Sequence, residues 1–134
     1  MTYLADKSAL VRLVEPSVAD RLGRLINGDE IVTCGMVDLE ILFSARNGDD
    51  FERVLRAQQG FRRVPISDDV FNQAIALQRA LAAKGKHRRP IPDLIIAATA
   101  LLADVTVLHY DNDFDVIAEV CDLHHEWVVP RGSL

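Results

Sequence analysis

The sequence predicts an α/β fold of three layers, α/β/α, around a mostly parallel central sheet. Short β-branched runs alternate with segments of helical period along the whole chain, so each return to the sheet is a crossover, and strands joined in this way lie parallel. The segment from Leu94 to Ala103 carries no charge on any side, as expected of a helix buried against a sheet covered on both faces. At 134 residues and 49% hydrophobic content the chain can build one real core, and a single domain spanning 1–134 is expected.

The elements follow in order. Tyr3-Leu4-Ala5 reads as a strand ending at Asp6, and the next helix, which Ser8 is placed to cap, stops before Pro16. Val18 to Ile26 is a second helix closed by Asn27-Gly28, and Ile31 to Cys34 is a β-branched strand. Met36 to Arg46 is helical and ends at Asn47-Gly48, and Asp50 to Gln58 is a further amphipathic helix. Phe61 to Ile66 is the third strand. Ser67-Asp68-Asp69 opens a helix that runs to about Ala83, with Val70, Ile75, Leu77 and Leu81 on its apolar side. A helix from Asp93 to Ala103 is entered through Pro92, a strand covers Val105 to His109, a helix Phe114 to Val120, and a last strand Trp127 to Val129.

The formal net charge of −5 argues against a protein that wraps nucleic acid over its whole surface. It leaves a nuclease open, because clustered carboxylates make the balance negative and bound cations reverse the sign locally. Cys34 and Cys121 lack the spacing of a zinc site or a disulfide framework and read as small apolar residues. No signal peptide or membrane span is expected, and the predicted location is cytoplasmic.

Ligands of an open parallel sheet bind beyond the carboxyl ends of its strands. Asp6 and Asp111 each follow an apolar strand and fall there, although either residue could simply begin a turn or cap a helix. Asp93 is the only charged residue from Ile91 to Ala103, in the first turn of a helix otherwise apolar all round. Rotation by about 100° per residue puts Glu40 between Met36 and Val37 and close to Phe43, inside the apolar arc. A carboxylate on that arc is costly unless a cation or several donors meet it, a buried arginine pair being the structural alternative. Asp38 lies on another side of the helix and reads as solvated. Four carboxylates from four element ends thus surround one crevice. All-oxygen ligation suits Mg²⁺ or Mn²⁺, one or two ions, which can activate water for in-line displacement at phosphorus.

These residues also form a known pattern. Leu4 to Leu10, Val37 to Arg46, Ile91 to Ala98 and Asp111 to Phe114, in this order and spacing, resemble the PIN-domain nucleases and, among them, the VapC-type toxins of bacterial toxin–antitoxin pairs. The resemblance covers essentially the whole chain. It implies a PIN-like α/β/α fold and a Mg²⁺- or Mn²⁺-dependent endoribonuclease whose acidic quartet is Asp6, Glu40, Asp93 and Asp111. Asp113 matches a further acid found in many members. Ser8 matches a hydroxyl residue that orients the first Asp, helix capping being the other reading of Ser8. Where many relatives have Thr two residues before the last acid, this chain has His109, which is expected to take that orienting place. The resemblance further implies a homodimer, a VapB-like antitoxin whose C-terminal segment occupies the active-site groove, and cleavage of an RNA needed for translation, commonly a transfer RNA.

Around this core, Lys84, Lys86, His87, Arg88 and Arg89 form the one basic stretch, which could guide an RNA backbone or be a solvated loop. Arg62 and Arg63 read as serving solubility or packing, His124 and His125 as an exposed turn, and Phe71 and Trp127 as core residues. Two competing readings remain at this level. One is an acid-site phosphoryl-transfer domain, which the missing second Asp of a DxD motif after Asp6 disfavours. The other is a catalytically inactive PIN-fold module that only binds an antitoxin-like partner, which the position of Glu40 disfavours.

Overall fold

A computed structural model describes residues 1–134. Five strands, β1 (Tyr3–Ala5), β2 (Ile31–Thr33), β3 (Arg62–Arg63), β4 (Thr106–His109) and β5 (His125–Trp127), form one sheet in the order β3-β2-β1-β4-β5. Every pairing is parallel. The chain steps outward from β1 through β2 to β3, then crosses back to place β4 and β5 on the other side. The boundary between β1 and β4 is therefore the point where strand order reverses, and a crevice opens there at the strands' carboxyl ends.

Side chains alternate across the sheet and define its two faces. Leu4, Val32 and Val107 point into a cluster of 18 buried residues shared with α3 (Gly35–Phe43), α5 (Asp68–Ala82), α6 (Ile91–Ala103) and α7 (Asn112–Ile117). Tyr3, Ala5, Ile31 and Leu108 point the other way, into a cluster of nine with Ala9 of α1 (Lys7–Leu10), Val18 and Leu22 of α2 (Pro16–Asn27), and Val128 and Val129. The remaining helix, α4 (Gly48–Gln59), packs on α3. Eight consecutive residues of α6, Asp93 to Ala100, are buried, as expected for a helix without a polar face.

Several boundaries differ from the sequence expectation for local reasons. Asp6, not Ser8, caps α1, accepting a hydrogen bond from the Ser8 backbone N–H, and α1 passes after one turn into a 3₁₀ segment over Val11–Val14. The left-handed residue after α2 is Asp29, one position beyond Gly28. Asn47-Gly48 opens α4 instead of closing α3: the Asn47 side chain accepts from the Asp50 N–H at 2.8 Å. β3 contracts to Arg62–Arg63, and the last strand begins two residues early, at His125. Cys34 is buried, Cys121 half-buried, and both are free thiols. Phe71 is half-exposed rather than core, whereas Trp127 is half-buried with its ring edge-on to Tyr110. No helix is long and apolar enough to cross a membrane.

Candidate metal centre

Asp6 enters the crevice from the end of the central strand, Asp111 from the turn after β4, Asp93 from the first turn of α6 and Glu40 from the middle of α3. The fold brings the predicted quartet together. Ligand oxygens of Asp6, Glu40 and Asp93 lie within 4.8 Å of one another, and so do those of Asp93, Asp111 and Asp113. Asp93 belongs to both groups and is 5% exposed.

Asp6, Asp111, Asp113 and Glu40 are each held through one carboxylate oxygen, whereas the Asp93 carboxylate has no side-chain partner. The Asp6 Oδ2 accepts from the Ser8 N–H at 3.0 Å and from the Ser8 hydroxyl at 2.6 Å, so Ser8 orients this carboxylate. The same hydroxyl oxygen accepts from the Tyr110 N–H at 2.9 Å and ties the α1 entrance to the β4 exit. Asp111 Oδ1 accepts from the Asp113 N–H at 2.9 Å, and Asp113 pairs with Arg89 at 2.8 Å. Glu40 meets Lys7, at 3.8 Å, rather than the arginine of its structural alternative. Asp6 Oδ1, Glu40 Oε1 and Asp93 Oδ2 are buried and have no hydrogen-bond partner.

Three unsatisfied oxygens in one place are costly without a cation, and the protonation equilibria register that cost. Burial, then the negative charges of Asp6, Asp111, Asp113 and Glu40, push Asp93 up to about 8. Burial also raises Asp6 and Glu40 above the ordinary carboxylate range. At neutral pH without a cation, Asp93 therefore retains its proton. A hard divalent ion fits these donors: it would supply the missing partner to all three oxygens and reverse the charge that raises their affinity for protons.

His109 is fully buried, and its Nδ1 accepts from the Asp111 N–H at 3.1 Å, so it holds the backbone of the last acid rather than its carboxylate. Its Nε2 lies 2.9 Å from Nδ1 of His125. Because Nδ1 is an acceptor, Nε2 carries the proton and donates to His125. Burial and the neighbouring His125 lower His109 to about 4, which keeps it neutral. His109, His125 and Asp115 offer ligand atoms within 4.8 Å of one another, but this tautomer leaves no lone pair on Nε2 for a metal. His109 and His125 form a hydrogen-bonded brace behind Asp111, and Asp115 accepts instead from the Trp127 indole N–H at 3.1 Å.

Some of these roles escaped the sequence. His125 is no exposed turn residue. It belongs to β5, whose register sets Trp127 beside His109 and so places His125 diagonally across from it. Asp38 is not solvated: its carboxylate is buried and accepts from Thr33 Oγ1 and Gln58 Nε2, each at 2.8 Å, and from Arg63. Lys7 carries no signal of its own in the sequence, yet its ammonium lies 3.8 Å from Glu40. In the basic stretch Lys86 pairs with Glu119 and Arg89 with Asp113, while Lys84, His87 and Arg88 are exposed.

A five-stranded parallel sheet with acids gathered at its switch point defines the class, and the model of the PIN domain matches residues 3–120: the chain belongs to the PIN-domain family. Within that family it belongs with the VapC ribonucleases. It is 38% identical to Ribonuclease VapC18 of Mycobacterium tuberculosis over 137 residues, covering 100% of both chains. Among solved structures it is similar to VapBC2 from Rickettsia felis bound to a DNA fragment from their promoter, with TM-score 0.78 and 18% identity over 94% of this chain and 98% of that one. A toxin–antitoxin complex from Klebsiella pneumoniae gives TM-score 0.69 and 22% identity over 84% and 90%. At such identities the solved structures establish the shared fold.

Proposed function

We propose that this chain is a metal-dependent endoribonuclease, the toxin of a type II toxin–antitoxin pair, and that it cleaves an RNA needed for translation, of the transfer-RNA class. The observation that carries the reading is the convergence of three buried, partnerless carboxylate oxygens on Asp6, Glu40 and Asp93, adjoining a second group in which Asp93 meets Asp111 and Asp113. Full-length similarity to a named ribonuclease supports the choice of RNA.

Asp6, Glu40 and Asp93 would hold one Mg²⁺ or Mn²⁺, and Asp93, Asp111 and Asp113 a second. Such an ion supplies an acidified water and charge neutralisation at the phosphate. The chain itself supplies placement. Ser8 fixes the rotation of Asp6, the His109 brace fixes the backbone of Asp111, and the buried floor of α6 keeps Asp93 from turning away into solvent. Arg89, through Asp113, adds positive charge at the rim, and Lys84, Lys86 and Arg88 are the cations we assign to the RNA backbone on approach. No histidine is needed as an acid or base. His109 is neutral and faces away from the crevice, towards His125.

The partners follow from the same reading: a VapB-like antitoxin, as in the toxin–antitoxin complex the fold matches, with its C-terminal segment over the acids, and a second copy of this chain. The test is cleavage of total RNA, with 5′ ends sequenced after brief expression of wild type and of Asp93→Asn. Wild type should cut at a few discrete positions in Mg²⁺ or Mn²⁺ and stop on chelation, the variant should lose at least about 10²-fold, and co-expression of the antitoxin should suppress cutting. Undiminished cutting by Asp93→Asn would remove that residue from the site.

A further inference from the structure

Phe43 ends α3 and is 91% exposed, although the helical arc of the sequence groups it with buried residues. It lies three residues beyond Glu40 and hence on the same helical face. Lys7, Leu39, Glu40 and Phe43 together line a cavity of about 340 Å³. Lys7 also directly follows Asp6 and reaches within 3.8 Å of Glu40. Acid cluster, ammonium group and bare aromatic ring thus succeed one another outward from the crevice.

We propose that this cavity is a nucleobase subsite: Phe43 stacks on an unpaired base of a single-stranded substrate, and Lys7 receives a phosphate of the same stretch. The inference rests on the nuclease reading and adds how the strand is gripped. A lone flat ring beside a cation suits a base and its phosphate, since every base offers a π-face and every linkage a negative charge. The Lys7 ammonium beside the ring favours a base that carries a phosphate over an apolar protein segment. Other exposed apolar side chains, Val11 and Leu13 on one side and Phe71 and Ile75 on another, line separate cavities.

The test uses a single-stranded oligoribonucleotide carrying 2-aminopurine, whose fluorescence is quenched by stacking, titrated with the protein in Ca²⁺ and checked on a gel for integrity. Phe43 is so exposed that its replacement should leave the fold intact. Phe43→Ala should lose the protein-induced quenching and weaken binding about tenfold. Phe43→Tyr and Phe43→Trp should restore both, and Phe43→Leu neither. Unchanged quenching in Phe43→Ala, or full rescue by Leu, would overturn the subsite, as would a change confined to self-association in sedimentation. Cleavage in Mg²⁺ is measured on total RNA with the same proteins. Quenching that depends on Phe43 without any cleavage supports the subsite and removes the nuclease reading, whereas cleavage with quenching indifferent to Phe43 removes the subsite alone.

Discussion

Asp93 shows how far one residue can be in conflict with its surroundings. It sits in the first turn of α6, where the helix dipole favours an anion by about 0.3–1 kcal/mol, yet burial and four neighbouring carboxylates raise it to about 8. In the unfolded chain it titrates as an ordinary aspartate. The folded state therefore holds one more proton between roughly pH 4 and pH 8. Stability from this group is fully present below the unfolded pKa and is lost as pH rises through 8. Metal-free wild type should melt at a lower temperature at pH 8.5 than at pH 5, and Asp93→Asn should flatten that slope and lie above wild type at pH 8.5. A divalent ion competes with the same proton, so Mn²⁺ should raise the melting temperature of wild type more at pH 8.5 than at pH 5, and that of Asp93→Asn little at either. Scanning calorimetry of both proteins with and without Mn²⁺ decides it; equal slopes would mean that Asp93 is ionised in the folded state.

At the scale of elements, the acids depend on how α3 is anchored. Asp38, one turn from the helix start, draws Thr33 of β2, Gln58 of α4 and Arg63 of β3 onto one carboxylate, and so locks the helix that carries Glu40 against three neighbours. Asp38→Ala strands the buried Gln58 amide and should cost about 2–3 kcal/mol in urea denaturation. Arg63→Met, at the exposed end of the network, should cost less than about 1 kcal/mol. Equal losses would show that the ion pair, not the buried amide, dominates. This anchor was invisible in the sequence because it joins residues from four separate elements. Asp93 was legible because a single charge stands out in an apolar helix. The helical angle of Glu40 turns it towards Asp6 and Asp93, although the same angle misplaced Phe43: the arc says nothing about where a helix leaves the core. The sheet was legible through β-branched runs and crossovers. The contraction of β3 and the early start of β5 were not, since edge strands take their length from a neighbour's hydrogen bonds.

For the whole molecule, two apolar surfaces remain to be covered. One is a groove of about 460 Å³ between α1, α3 and α4 that includes Asp50 and Arg53, a mixed lining suited to a partner of different sequence. The other, around Phe71 and Ile75 of α5 and Ile91 at the start of α6, lines its cavity with no charged residue. A patch without charge can face its own copy across a two-fold axis without like-charge repulsion, which makes it compatible with an isologous pairing. Ile91 is two residues from Asp93, so such a pairing would set the N-terminal ends of both α6 helices, and with them two acid clusters, beside one shared groove. That arrangement would let two sites engage one folded RNA, a use for dimerisation that a net charge of −5 would otherwise oppose. Ile75 is 62% exposed, so its replacement by Asp leaves the core untouched while placing like charges in contact across the axis. On the proposed pairing, wild type should sediment as a dimer and Ile75→Asp as a monomer that keeps its melting temperature within a few degrees and binds Mn²⁺ normally. A dimer that survives this substitution would move the interface to another face.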